Sequence, residues 1–207
     1  MGGRPGARVE AVESEGQYAL AVDGVVQSVR VEGGDIGRGY WPAMLPQEPP
    51  RSALILGLGA GTIARLLHVR FGGLPIVGVD DDEAVIDLVR ERFQLGELPG
   101  LWIVVGDAFA FAAACRERFD YVAVDLFRGG ELPRGVAATP FLRDVRRLLE
   151  VGGLAAFNLT RDRRAATRIH RLGRVFCVEK RILVGFNVVV HCRAPARPER
   201  TRRGAGV

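Results

Sequence analysis

Three alternating glycines, Gly57, Gly59 and Gly61, and three aspartates that each close an apolar run, Asp80, Asp107 and Asp125, are the residues whose types and spacing could do chemistry. The glycines lie in Ala53-Leu54-Ile55-Leu56-Gly57-Leu58-Gly59-Ala60-Gly61-Thr62, where a short, dense apolar run opens into the helical spacing of Ile63-Ala64-Arg65-Leu66-Leu67. This reads as strand, tight turn, helix. A backbone that must take positive φ and lie against a ligand without an intervening Cβ needs glycine. N–H groups pointing outward at the start of a helix favour an electron-rich partner, so the turn reads as a cradle for a nucleoside or a phosphate.

The dinucleotide fingerprint wants a third Gly or Ala three places after the second glycine. Thr62 stands there, and the spacing is instead that of S-adenosylmethionine-binding loops. A plain tight strand-to-helix turn is the competing reading. Asp80 falls about twenty residues beyond the turn, where a carboxylate can take both ribose hydroxyls; alternatively it is a helix N-terminal acid, a role for which Asp81, Asp82 and Glu83 compete. Asp107 could accept from an adenine amino group or simply cap the helix that follows. The neighbouring Asp81 and Ala108 complete this candidate cofactor-binding set. Asp125 would stand beside the reactive end of the same ligand, and burial at a strand end raises a carboxyl pKa enough for a general base toward an amine. Its structural alternative is a carboxylate held by backbone N–H groups of the following loop.

These residues need a scaffold that brings strand ends together. From residue 53 the pattern is βαβα: a strand running from Ala53 into the glycine turn, then strands at 75–79, 101–105, 119–124 and 154–158, and helices after the glycine turn, after Asp80, over 108–116, and from Thr139, a candidate cap, with Pro140 at the first helical position. Gly152-Gly153 stops that last helix. A helix over 161–172 and strand-like runs at 174–179 and 186–192, too close together for a crossover helix, predict an antiparallel C-terminal hairpin. The fold class is α/β, with a mostly parallel sheet and helices on both faces. Ligands bind such sheets at the strand carboxyl ends near the switch point, where the glycine turn and all three aspartates fall.

Before this domain, residues 8–31 alternate as a small β-meander with a hairpin signal at Asp23-Gly24. A unit that small needs to pack on the domain or on a second subunit. Residues 32–52 read as a loop with one short helical turn, in which Tyr40 and Trp41 form a local pack or a site lid. The organisation is 1–50 β-rich segment and loop, 51–192 nucleoside-binding domain, 193–207 disordered basic tail.

The formal charge is +5, but Lys180 is the single lysine, so the arginine excess looks like codon bias as much as a binding surface. Cys115, Cys177 and Cys192 form no C-x-x-C pair and read as buried small hydrophobes, and the three histidines are scattered, so no metal site is expected. No run of about 18 uncharged residues predicts a membrane span, and the first residues lack the apolar centre of a signal peptide. A cytoplasmic protein is expected.

Asp23-Gly24-Val25-Val26-Gln27-Ser28, the Gly57–Gly61 turn, Val79-Asp80-Asp81-Asp82-Glu83, Gly106-Asp107-Ala108-Phe109, Val124-Asp125 and Leu149-Glu150-Val151-Gly152-Gly153 occur in the order and rough spacing of the spermidine synthase-like family. The resemblance covers roughly residues 18–192. It implies an N-terminal β-domain ahead of a Rossmann-like class I methyltransferase fold, and a homodimer. It implies that Gln27 and Asp80 hold the ribose and amino-acid side of the nucleoside, that Asp107 reads the adenine, and that Asp125 is the catalytic acid. It also implies S-adenosylmethionine or its decarboxylated form as co-substrate.

The departures fall on the polyamine side. The family's G-G-G-D-G reads Gly57-Leu58-Gly59-Ala60-Gly61, and its D-S-S-D reads Asp125-Leu126-Phe127-Arg128, a cation where an amine-binding acid is kept. The segment before the first strand is Tyr40-Trp41-Pro42, without its glutamate. Tyr40 and Arg128 are therefore the candidate acceptor-binding residues. The expected function is aminopropyl or methyl transfer to a small-molecule acceptor other than putrescine. A non-catalytic nucleoside- or partner-binding module is the alternative. A nucleic-acid methyltransferase, suggested by the arginines of 161–172 and the tail, is less favoured, because a solvated helix face explains the same residues.

Overall fold

Ala53–Leu56 is buried at all four positions, which a strand sustains only inside a sheet covered on both faces. The computed structural model describes residues 9–14, 17–22, 24–29, 39–128 and 130–195. In chain order the elements are β1 (Val9–Ser14), β2 (Gln17–Val22), β3 (Val25–Val29), α1 (Trp41–Met44), β4 (Ala53–Leu56), α2 (Thr62–Phe71), β5 (Ile76–Asp80), α3 (Glu83–Phe93), β6 (Leu101–Val105), α4 (Ala108–Ala114), β7 (Phe119–Val124), α5 (Thr139–Leu148), β8 (Leu149–Thr160), α6 (Ala165–Gly173), β9 (Cys177–Val184) and β10 (Asn187–Arg193).

Seven strands form the main sheet in the order β6-β5-β4-β7-β8-β10-β9. Pairing is parallel from β6 to β8 and antiparallel for β8-β10 and β10-β9. This is the doubly wound α/β fold with an antiparallel hairpin at its end. Strand order reverses between β4 and β7, so the switch-point crevice opens where Leu56 gives way to Gly57 and Val124 to Asp125.

Alternation along β4 divides the interior into two cores. Ala53 and Ile55 face one with Ile63, Leu67, Val85, Ile86 and Phe93 of α2 and α3. Leu54 and Leu56 face the other with Phe141, Val145 and Leu148 of α5 and Ile169 and Leu172 of α6. Each such Leu, Ile or Phe contributes about 1.5–3 kcal/mol on burial, which is what holds the strand ends in register. β1-β2-β3 is a separate antiparallel sheet; β1 lies against α3, and Leu20 joins the first core.

Several local expectations change. Thr139 does not cap α5: the helix begins at that residue, Ala138 holds the cap position, and no side chain bonds there. Gly152 and Gly153 lie inside β8, which starts directly after α5 at Leu149. The helix expected over 161–172 begins only at Ala165, because Asp162 accepts the Arg164 N–H and shapes the preceding turn. The basic tail does not start at residue 193: Arg193 ends β10 and pairs with Glu179, and the buried Ala194 donates its N–H to Gly153 O at 2.9 Å. Residues 196–207 lie outside the described residues. Of the cysteines only Cys192 is buried, while Cys177 is exposed on the edge strand β9.

Candidate active site

The glycine turn has the backbone its sequence demands, with φ of 91° at Gly57, 51° at Gly59 and 77° at Gly61. At Gly57 a Cβ would stand 2.2 Å from the Asp125 carbonyl oxygen, so glycine is what lets the loop after β7 close against the loop after β4. Four of its N–H groups do not point outward as the sequence suggested. Gly57 and Leu58 donate to Val79 O, Gly61 donates to Leu58 O, and Gly59 donates to the Asp80 carboxylate at 2.8 Å. The turn therefore offers a ligand bare backbone surface together with an anchored carboxylate.

Each nearby acid has a distinct task. Asp82 caps α3 by accepting the Val85 N–H, which frees Asp80 from the helix-cap role. Asp80 accepts from Gly59 N on one oxygen and from Asp82 N, at 3.2 Å, on the other. Burial raises its pKa and the two N–H bonds oppose the rise. Asp107 caps α4 through Ala110 N at 2.8 Å, with Ala108 buried behind it, so its simpler reading is the one seen. Asp81 is ion-paired with Arg128. Because β4 lies between β5 and β7, that pair reaches over the strand carrying the glycine turn. Gln27 is in β3, with its side chain outside the described residues.

Asp125 directly follows β7, its N–H donating to Leu56 O at 2.8 Å. Its carboxylate is gripped by side chains, not by the backbone N–H groups anticipated for the loop. Tyr40 donates its hydroxyl to Oδ2 at 2.9 Å, and Asn158 donates Nδ2 to Oδ1 at 2.8 Å. The Asn158 carbonyl oxygen in turn accepts from Asn187 Nδ2 at 2.9 Å. Burial lifts Asp125 from 3.8 to about 6; the bonds from Asn158 and Tyr40 hold it down, and the Asp80 charge adds to the rise. Burial, with the Asp125 charge second, also raises the Tyr40 phenol well above its ordinary value, so Tyr40 is a donor here and not an acid. The result is an ionisable carboxylate with fixed orientation, able to take a proton near neutral pH.

Tyr40 reaches Asp125 because residues 40–45 are tied down across the sheet. Tyr121 of β7 donates its hydroxyl to Met44 O, and His191 Nε2 of β10 lies 2.7 Å from Ala43 O. Trp41 and Met44 are buried in the first core, and the Tyr40 and Trp41 rings are 4.8 Å apart. The aromatic pair packs locally, as the first of its two readings has it, and the Tyr40 hydroxyl reaches Asp125.

The switch point thus gathers Tyr40, Gly57, Gly59, Gly61, Asp80, Asp81, Asp125 and Arg128, while Asp107 and Ala108 stand further out, beyond β6. Sequence reading missed Asn158 and Asn187. The available signal was an asparagine inside the apolar run Ala155-Ala156-Phe157-Asn158-Leu159, because a buried amide must find partners. Among the described residues no group of three or more His, Cys, Asp or Glu side chains is placed to hold a metal ion. No described helix is long and apolar enough to cross a membrane.

No protein-family model matches the chain. Over 108 residues it is 34% identical to a protein of Bifidobacterium longum named probable polyamine aminopropyl transferase, covering 52% of this chain and 24% of that protein. A crystal structure of a probable spermidine synthase from Corynebacterium glutamicum superposes with a TM-score of 0.76 at 22% identity, covering 90% of this chain and 76% of that one. The chain resembles the spermidine synthase-like family. Methyltransferases share that likeness. A Drosophila melanogaster protein named eEF1A lysine and N-terminal methyltransferase homolog is 23% identical over 89% of this chain and 34% of its own length. The structure of human methyltransferase-like protein 13 in complex with SAH matches at a TM-score of 0.64 and 21% identity, covering 77% of each chain. The chain spans a quarter to a third of the length of these two curated relatives, and its Rossmann-like, class I methyltransferase-type fold is common to both groups.

Proposed function

We propose that this chain is a transferase that binds an S-adenosylmethionine-type donor at the switch point and passes a methyl or aminopropyl group to an amine acceptor, with Asp125 as the group that meets the amine. The observation that carries the proposal is the anchored Asp80 carboxylate beside the Cβ-free turn. Each of its oxygens takes one N–H and keeps a lone pair for one hydroxyl of a vicinal diol. The residues therefore fit a ribose. When bound, the donor supplies an electrophilic carbon attached to a sulfonium.

Asp80 orients the nucleoside, and the Gly57–Gly61 backbone lies against it. Asp125, ionised above about pH 6, accepts a proton from the incoming ammonium, so that the amine's lone pair can form the new bond to carbon while the donor's carbon–sulfur bond breaks. Tyr40 and Asn158 hold the carboxylate in place during this transfer. Ala60 is fully buried and presents no acid to a donor amine. This favours S-adenosylmethionine, which carries its own carboxylate, over the decarboxylated form. A homodimer, implied by the family resemblance, and a cytoplasmic setting, expected from the sequence's lack of a membrane-span or signal-peptide pattern, accompany the proposal as further expectations.

The test is calorimetric titration with S-adenosylhomocysteine and methylthioadenosine, followed by single-turnover assays with each labelled donor against a panel of amines. Binding and donor-dependent product are expected. Nucleoside binding without product from any acceptor would return the chain to the non-catalytic reading, and no nucleoside binding would end the proposal.

A further inference from the structure

We infer that the acceptor half of this site is a docking surface for an acidic, extended peptide segment that presents its amine to Asp125; the inference rests on the transferase reading above. Beyond the end of β8, Arg161, Arg163 and Arg164 are exposed. Asp162, the acid among them, is occupied by a two-pronged contact from Arg168 at 2.7 and 3.1 Å. Among the described residues the three remaining guanidinium groups have no acidic partner. The β9-β10 turn stands at the same end of the sheet, Asn187 pairing with Thr160, and its Phe186 is 88% exposed. Phe186 O accepts the Arg161 N–H at 2.8 Å, so ring and arginines belong to one surface.

That surface is joined to the base by two hydrogen bonds. Asn187, the residue after Phe186, bonds to Asn158, and Asn158 bonds to Asp125. Arg161 directly follows β8, which ends at Thr160, so its backbone lies about 10 Å from that of Asn158 at a rise of about 3.3 Å per residue. The donor half is different in kind: Asp80 is anchored by two backbone N–H groups with lone pairs left for the ribose, Asp82 and Asp107 cap helices, and Asp81 pairs with Arg128.

An acceptor matched to this layout carries its negative charges a few extended residues away from its reacting amine, because the arginines lie past the end of the strand whose Asn158 holds the base. Carboxylates suit the guanidinium forks, and the exposed ring supplies an apolar contact beside them. A nucleic-acid track is a poorer match, since binding dominated by phosphate draws on many cations, as in a set of about 6–10 phosphate contacts, and this loop offers three.

The experiment is fluorescence anisotropy with two labelled peptides, one with a lysine followed at three to five positions by glutamates and one with glutamines in their place, with and without S-adenosylhomocysteine. The proteins are the native chain, the triple variant Arg161→Ala, Arg163→Ala, Arg164→Ala, and Phe186→Ala, all surface changes whose folding is verified by thermal melts. The acidic peptide is expected to bind the native chain at least tenfold tighter than the neutral one. Both variants should lose at least fivefold of that preference while keeping native affinity for S-adenosylhomocysteine. Equal binding of the two peptides, or variants that bind like the native chain, would overturn the inference. So would an RNA of equal charge that outcompetes the peptide with a steep salt dependence. Acidic-peptide selectivity in a chain that fails to bind S-adenosylhomocysteine would support the surface and end the transferase reading, so the two failures are distinguishable.

Discussion

Tyr40 donates its phenolic hydrogen to Asp125 across 85 positions of sequence, so the reactivity of a residue on the β7 loop is set by a segment that precedes the first strand of the main sheet. Hydrogen bonds to a charged group contribute about 1.5–3 kcal/mol, and this one favours the ionised carboxylate. Tyr40→Phe and Asn158→Ala should each move the acid limb of the pH–rate profile above the value near 6 of the native chain. A profile unchanged in both variants would mean that Asp125 does not titrate in the reaction.

The same carboxylate makes a stability prediction. Its folded pKa, about 6, lies above its ordinary 3.8, so the folded chain holds the proton longer than the unfolded one. The stabilisation is complete below about pH 4 and is lost as pH rises through about 6. Asp125→Asn should abolish this part of the pH dependence, which urea melts at pH 4.5 and 7 would show as a smaller difference between the two pH values.

Asp80→Ala should weaken methylthioadenosine binding by roughly 10- to 100-fold, the loss of one charge-assisted diol contact. Calorimetry is the measurement. Equal affinities would take Asp80 out of the ribose site.

Arg128 should make putrescine a poor acceptor, but Asp81 moderates the effect. Both side chains are well exposed, 68% and 42%, and two like charges about 4 Å apart cost about 1 kcal/mol in water, roughly a fivefold weakening. Arg128→Asp would set a second acid beside Asp81 and should improve diamine KM by at least that factor. Efficient putrescine turnover by the native chain would contradict the assignment.

His191 should make the docking of residues 40–45 sensitive to acid. Burial lowers its pKa from 6.5, helped by Lys180 and Arg193 and opposed by the Ala43 carbonyl and by Glu179. A depressed histidine pKa means stability present above pH 6.5 and lost as pH falls through the folded value. The stability advantage of the native chain over His191→Gln should therefore shrink between pH 7.5 and 5.5. An advantage that stays constant would show that the ring does not titrate in this range.

How far the site could be read in advance depended on the range of each interaction. The apolar runs that end at Leu56, Asp80 and Val124 announce buried parallel strands by themselves, and the switch-point rule then places their final acids together. Asn158 and Asn187 are different. An asparagine in a strand shows its purpose only when β7, β8 and β10 are side by side, and that adjacency depends on β10 inserting between β8 and β9. The competing roles of Asp80 and Asp82 were equally closed to inspection, because the choice turns on which carboxylate meets Val85 N and which meets Gly59 N. Thr139 was misplaced by one residue, within the ordinary uncertainty of a helix start.

The insertion of β10 also governs when the site can exist at all. A growing chain emerges from its amino end, and the strand that fills the gap between β8 and β9 is the last of the seven to be made. Until residues 187–193 have left the ribosome, β8 has an open edge, Asn158 lacks the partner that orients it, and the His191 tie to Ala43 is missing. The strand ends holding Gly57, Asp80 and Asp125 can already lie together by then, so a nascent chain should acquire its nucleoside pocket first and the settled protonation of its base only at the end.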